Sequence, residues 1–157
     1  MGFEMREDAE KWFKDIASHY PTKFDRYYLC LMAGFASSRR NSTKFSDSEA
    51  KDFVEYFPAD FKSRGRLLVG LLIDSELKYL GIDLEDRESV YKQVKRLVDP
   101  SSPSYLSSEG MRLMNQYAHG GFDFLCEEFS DRPRKIEVFV RKYFRCLSRL
   151  NDDEMLN

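Results

Sequence analysis

Apolar positions recur every three to four residues along most of this chain, and the densest run is Arg64–Leu80, RGRLLVGLLIDSELKYL. There Leu67, Leu68, Val69, Leu71, Leu72, Ile73, Leu77, Tyr79 and Leu80 occupy most of a helical circumference. They cannot all face one neighbour, so the pattern predicts a helix wrapped by others. Arg66, Gly70, Asp74 and Lys78 form a polar or small stripe at four-residue spacing. On a buried helix its charges need partners, so the stripe predicts an ion pair with another helix beside a glycine that permits close approach. Gly81 follows as a residue that takes the left-handed conformation cheaply and ends the helix.

The remaining periodicities are helical too. Ala9, Trp12, Phe13, Ile16 and Ala17 predict a helix over about 7–19, which Pro21 stops. Thr22 caps a second over 23–37, with Phe24, Tyr27, Tyr28, Leu31, Met32 and Phe35 inward. An exposed basic loop follows over 37–44, then a short aromatic-rich helix through Glu49, Val54 and Phe57 that Pro58 closes. A helix over 87–98 ends at Asp99-Pro100, and 99–105 (DPSSPSY) reads as a loop too short to separate domains. Ser107 or Ser108 caps a helix running to Phe129. Within it Gly120-Gly121 marks a bend, a break, or a point where another backbone packs very close. Pro133 suits the first turn of a last helix over 134–150, with Ile136, Phe139, Val140, Tyr143, Phe144 and Leu147 inward. No segment offers a strand alternation of useful length. The expected fold is all-α, a compact array of six or seven helices around the helix at 64–80. It forms a single domain over 1–150, with a frayed acidic tail over 151–157.

Composition adds two points. Thirteen Phe and nine Tyr against one Trp imply a core packed by rings, a sticky partner face, or both. The formal net charge of -2 provides no overall pull toward nucleic acid, so contact with DNA requires local basic patches. No apolar run reaches the roughly 20 residues that span a bilayer, the N-terminus has no signal-peptide pattern, and residue 6 is Arg where a myristoylation signal wants Ser or Thr. No membrane association is expected. Cys30, Cys126 and Cys146 are odd in number and lie in apolar helical contexts, as buried thiols of a reducing cytoplasm do.

Phosphate-binding glycine loops, H-E-x-x-H, C-x-x-C and G-x-S-x-G are absent from the sequence, so no cofactor or metal is expected. The two histidines are His19 and His119. His119 shares a helical face with Asn115 and Asp123, the arrangement in which a carboxylate orients an imidazole for acid–base work. The same three side chains serve equally to bond backbone around the glycine pair, and the pair His119/Asp123 defines only an alternative, hydrolase or nuclease, reading. Three basic clusters are the candidates for phosphate contact: Arg39, Arg40 and Lys44; Lys62, Arg64 and Arg66; and Arg132, Arg134, Lys135, Arg141, Lys142 and Arg145, of which Arg134, Arg141 and Arg145 share one face of the last helix.

Two segments carry a resemblance. Phe24-Asp25-Arg26-Tyr27-Tyr28-Leu29-Cys30-Leu31-Met32-Ala33-Gly34-Phe35 with Ser38-Arg39-Arg40, and Tyr117-Ala118-His119-Gly120-Gly121, together resemble small accessory proteins encoded in bacterial phage-defence islands beside DNA phosphorothioation genes. The resemblance implies a cytoplasmic, non-enzymatic accessory that holds a protein partner of the same system and works at DNA. It assigns no catalytic position. A protein-only scaffold or homo-oligomerising module is the other expectation.

Overall fold

The computed structural model describes the backbone of residues 1–156 and the side chains of residues 1–153. Among them are six α-helices and one two-stranded sheet. In chain order these are β1 (Phe3–Arg6), α1 (Glu7–Trp12), α2 (Lys23–Ser37), β2 (Ala50–Val54), α3 (Gly65–Leu80), α4 (Arg87–Leu97), α5 (Ser108–Glu128) and α6 (Ile136–Leu156). Turns of 3-10 helix occupy Lys14–Ile16 and Ala59–Arg64.

The protein is mostly helical, and the sheet is the departure from expectation. β1 buries Phe3 and Met5 and leaves Glu4 and Arg6 half-buried, an alternation only four residues long. β2 lies where a short helix was expected. A helix there must nucleate and then stop at Pro58, whereas pairing with β1 supplies partners directly to a segment ending in Phe53 and Val54. The first helix is also shorter than its apolar spacing implies. α1 ends at Trp12, and the 3-10 turn after it stacks Phe13 above Ile16, which are 0% and 1% exposed.

The fold consists of two compact units. Unit 1 comprises Met1–Glu4 and Asp52–Asn115; unit 2 comprises Met5–Lys51 and the chain from Gln116 onward. The chain passes between them inside β1, β2 and α5.

In unit 1, α3 packs on α4 and on the 3-10 turn that precedes it. Leu68, Val69, Leu72 and Leu77 are buried, but Leu67 is 63% and Tyr79 61% exposed. The expectation of an all-round wrapped helix is thus corrected: α3 has one buried face, and part of its apolar circumference faces solvent. The Arg66-Gly70-Asp74 stripe lies toward solvent as well. Asp74 pairs with Lys78 on the same helix at 3.2 Å, and a Cβ added at Gly70 would meet nothing within 4 Å. The buried acid of α3 is instead Glu76, 1% exposed, with Arg96 of α4 at 3.7 Å. Arg96 also bonds Glu109 at 2.8 Å, which leaves the carboxylate of Glu76 near a shared cation. Gly81 adopts φ 67° at the end of α3, as expected. Ser107 caps α5 by accepting from the Gly110 N–H at 3.0 Å.

In unit 2, Thr22 and Asp25 form a reciprocal capping box at the start of α2. α2 then packs on α6. Of the three meanings open for Gly120-Gly121, close packing is the one realised. α5 runs unbroken through both glycines. A Cβ built on Gly121 would sit 1.7 Å from the Cys30 carbonyl oxygen, and one on Gly34 would sit 1.9 Å from that of Tyr117. Backbone meets backbone at this crossing of α2 and α5. Nearby, Trp12 makes edge contacts with Phe13, Phe122, Phe129 and Phe139 at 4.9–6.2 Å between centroids, the ring-packed core that the composition implies.

α6 begins two residues later than expected and continues through Leu156, so 151–156 extend a helix; Asn157 lies outside the described residues. Its buried side is centred on Phe139 and Cys146. At about 100° per residue that register turns Val140 (37% exposed) and Phe144 (69%) outward, against the inward placement expected of them. Tyr143 stays inside and donates its hydroxyl to the Leu29 carbonyl at 2.8 Å. Cys30 and Cys146 are buried, but Cys126 is exposed, which corrects its assignment to the interior.

Candidate nucleic-acid interface

The candidate cations fare differently. In unit 2, Arg39 is held by Glu127 through two hydrogen bonds of 2.6 and 3.0 Å, and Arg134 pairs with Asp131 at 3.3 Å. Each has a carboxylate neighbour, Arg39 in a partly exposed pair and Arg134 in an exposed one. The guanidinium of Arg40 lies 6.0 Å from the Tyr117 ring centroid, and Lys44 is an exposed residue of the segment after α2. Arg141 and Arg145 are exposed one turn apart on α6, and among the described residues no carboxylate pairs with either.

His119 and Asp123 belong to a network organised by Arg6, a residue that sequence reading had not singled out. The Arg6 guanidinium donates to Asp123 Oδ1 at 2.6 Å, to Asp8 at 2.7 Å and to the His119 carbonyl at 3.4 Å. It lies between the rings of Phe45 and Phe122, 4.9 and 4.8 Å from their centroids. Burial opposes its charge, but the hydrogen bonds that it donates to Asp8 and Asp123, with the negative charge of those carboxylates, outweigh burial and raise its pKa. The other Asp123 oxygen accepts from Asn41 Nδ2 at 2.7 Å. His119 is 4% exposed, with its ring edge-on to Phe45 at 5.1 Å. Asn115, the third member of the expected face, accepts from the Glu4 N–H at 2.9 Å and donates to the Gly2 carbonyl at 3.0 Å. Asn115 and Asp123 thus bond backbone and neighbouring side chains. A pocket of about 330 Å³ opens beside Arg6 and Phe45, but its lining is otherwise Glu7, Asp8, Lys11, Ser48 and Glu49 and includes neither His119 nor Asp123.

The more open arrangement is in unit 1. The 3-10 turn and the first turn of α3 carry Lys62, Arg64 and Arg66, all exposed. The Arg64 guanidinium lies 5.7 Å from the Phe61 ring centroid and that of Arg66 5.9 Å from the Tyr105 centroid. Tyr105 lines two surface cavities. One, of about 340 Å³, is completed by Tyr56, Phe57, Ala59, Lys62 and Pro103. The other, of about 330 Å³, is completed by Arg66, Val69, Val98 and Pro100. Among the described residues no ion pair engages Lys62 or Arg66.

Tyr105 is held there by the loop that precedes α5. Val98 and Leu106 bridge, the Asp99 N–H donates to the Tyr105 carbonyl at 2.9 Å, and the Tyr105 N–H donates to the Ser102 carbonyl at 3.2 Å. This closure sets Tyr105 at φ 64°, a left-handed conformation that costs a bulky residue on the order of 1–2 kcal/mol. The Ser102 hydroxyl, in the same loop, is buried without a hydrogen-bond partner among the described residues. Two unfavourable features in one short loop mark it as held by its closure and not by local preference. The sequence carried a faint signal for it: DPSSPSY combines turn formers with an aromatic residue that a plain linker does not need.

No protein-family model, curated protein or solved structure matches the chain. Among the described residues no group of three or more His, Cys, Asp or Glu side chains is placed to hold a metal ion, and no helix is long and apolar enough to cross a membrane.

Proposed function

We propose that the protein is a non-enzymatic helical adaptor of a bacterial, DNA-associated phage-defence system, holding a protein partner and lying against the DNA backbone through local basic clusters. The observation that carries this reading is the outer face of α6. Val138, Val140 and Phe144 are 54%, 37% and 69% exposed, beside Arg141 and Arg145. Val140 and Phe144, one turn apart, form a small apolar patch, and at about 100° per residue Val138 lies across Arg141 and Arg145 from it. Such a patch suits contact with another protein, and the two guanidinium groups, which pair with no carboxylate among the described residues, suit phosphate oxygens. The likeness of Phe24–Arg40 and Tyr117–Gly121 to phage-defence accessories supplies the biological setting. Electrophoretic mobility on a 20-base-pair duplex across a salt series tests the DNA half. Retardation at low salt that Arg141→Glu/Arg145→Glu abolishes is expected; no retardation at low salt overturns direct DNA contact.

The exposed Val138, Val140 and Phe144 also favour a second reading, a protein-only scaffold or self-associating module. Sedimentation of the protein and of Phe144→Ser separates the two: self-association lost in the variant, without DNA binding in either protein, supports the scaffold. The hydrolase reading around His119 and Asp123 gains nothing from the geometry, since His119 is buried and both Asp123 oxygens are bound to Arg6 and Asn41.

A further inference from the structure

We infer that the Tyr105 surface of unit 1 is a binding site for single-stranded DNA, with the Tyr105 and Tyr56 rings as stacking platforms and Lys62 and Arg66 as phosphate contacts. The inference rests on the reading that the chain contacts DNA, and it narrows that contact to a different unit and a different form of the nucleic acid.

A single strand differs from a duplex in presenting base faces, and every base has one. Sites that take it without sequence preference combine aromatic side chains with cations along the path of the backbone. Both parts are present here within a few residues. Tyr56 is 58% exposed and Tyr105 half-buried, and each lines the cavity that Lys62 also lines. The second cavity continues on Arg66, whose guanidinium already lies over the Tyr105 ring. Arg66 covers one face of the ring, so a base stacks on the face that it leaves open and its phosphate meets the cation at the ring.

The cavities have the form of shallow, mostly apolar recesses with one cation each, at the small end of the roughly 300–1,000 Å³ of ligand clefts. A recess of this size accepts flat rings in sequence better than the side of a duplex, whose bases are stacked on one another. Lys62 and Arg66 have no carboxylate partner among the described residues, unlike Arg39 and Arg134, so their charge is available to an anion. The loop closure that sets Tyr105 at φ 64° fixes the backbone from which its ring projects before any strand arrives, which lowers the ordering cost of binding.

Fluorescence anisotropy of the full chain with labelled dT20, rU20 and a 20-base-pair duplex tests this. The expected result is dT20 binding that Tyr105→Ala weakens about 5- to 150-fold, the worth of one stacked base, and that Tyr105→Phe retains. Lys62→Gln/Arg66→Gln, two exposed substitutions that leave the fold intact, should lower the slope of log K against log salt by about 1.4, near 0.7 for each lost single-strand phosphate contact. Unchanged dT20 affinity in both Lys62→Gln/Arg66→Gln and Tyr105→Ala overturns the inference. Duplex binding without dT20 binding overturns it too, while leaving the adaptor reading intact. Tighter binding of rU20 than of dT20 overturns the assignment to DNA, and no binding to any of the three overturns both readings.

Discussion

Replacing Gly121 by alanine adds a single methyl group, and the geometry makes this one of the most damaging small changes available. The new Cβ would lie 1.7 Å from the Cys30 carbonyl oxygen and 2.5 Å from the Gly34 nitrogen. Carbon and carbonyl oxygen meet at about 3.3 Å, so α2 and α5 must separate locally by roughly 1.6 Å. Both obstructing atoms are backbone, and no rotamer change relieves the contact. Helix propensity alone favours alanine by about 1 kcal/mol, while overpacking a tight core costs about 1–3 kcal/mol and more where backbone must shift. With backbone on both sides of the clash the upper end applies, about 3 kcal/mol less about 1 from propensity, for a net loss of about 2 kcal/mol. In a chain of this length that corresponds to a fall in Tm of about 4–8 °C by circular dichroism. Gly70→Ala is the internal control, since its methyl group meets nothing within 4 Å. It should raise Tm by about 2–4 °C, the propensity gain alone. A Gly121→Ala variant that melts within 2 °C of the parent, or above it, would refute the close crossing of α2 and α5.

Two further outcomes follow from the ionisable groups. Burial pushes the Cys30 thiol far up, and the same cause raises Cys126 to about 11 even though Cys126 is exposed by area. In the native protein one thiol, Cys126, should react with iodoacetamide, slowly at pH 7.5 and faster as pH rises toward 11. Fast labelling of Cys30 without unfolding would contradict the α2 packing. The Glu109 carboxyl is held below the usual carboxylate range by hydrogen bonds from Arg112 and then Arg96. A depressed folded-state pKa gives stability that is present above the unfolded value of about 4.3 and lost as pH falls through the folded one. Glu109→Gln should therefore cost about 0.5 kcal/mol at pH 7, a partly exposed pair being solvent-screened, and the difference should vanish near pH 2 in urea titrations. A constant difference across that range would rule out the ion pair as its source.

Much of the fold was legible because its helices carry strong local signals. The Thr22 cap, the Gly81 stop and a serine cap at 107 or 108 are set by short-range chemistry; each is where the sequence places it, with Asp25 completing a box at Thr22 and Ser107 as the serine used. The sheet was not legible, since four residues of alternation in β1 and the pairing partner 50 residues away in β2 leave no local trace. The burial of α3 and α6 was misjudged for a related reason. An apolar helix states how much surface it has to bury but not how much of it a neighbour covers, so Leu67, Tyr79 and Phe144 could be assigned to the interior and yet face solvent. At the candidate sites, residue type identified Lys62, Arg66, Arg141 and Arg145 as cations. That Arg39 pairs with Glu127, and that Arg6 organises the surroundings of Asp123, depends on contacts 88 and 117 residues apart in sequence. Tyr105 left only the faint signal of its turn-rich segment, because its position follows from loop closure and not from any motif.

Under the proposed function phosphate contact, not general stickiness, holds the chain on DNA, and the salt dependence of duplex affinity tests this most directly. For the parent protein log K should fall linearly with log salt. In Arg141→Gln/Arg145→Gln the magnitude of that slope should drop by about 2, close to 0.9 for each lost contact. An affinity independent of salt, or a slope that the double substitution leaves unchanged, would contradict the account.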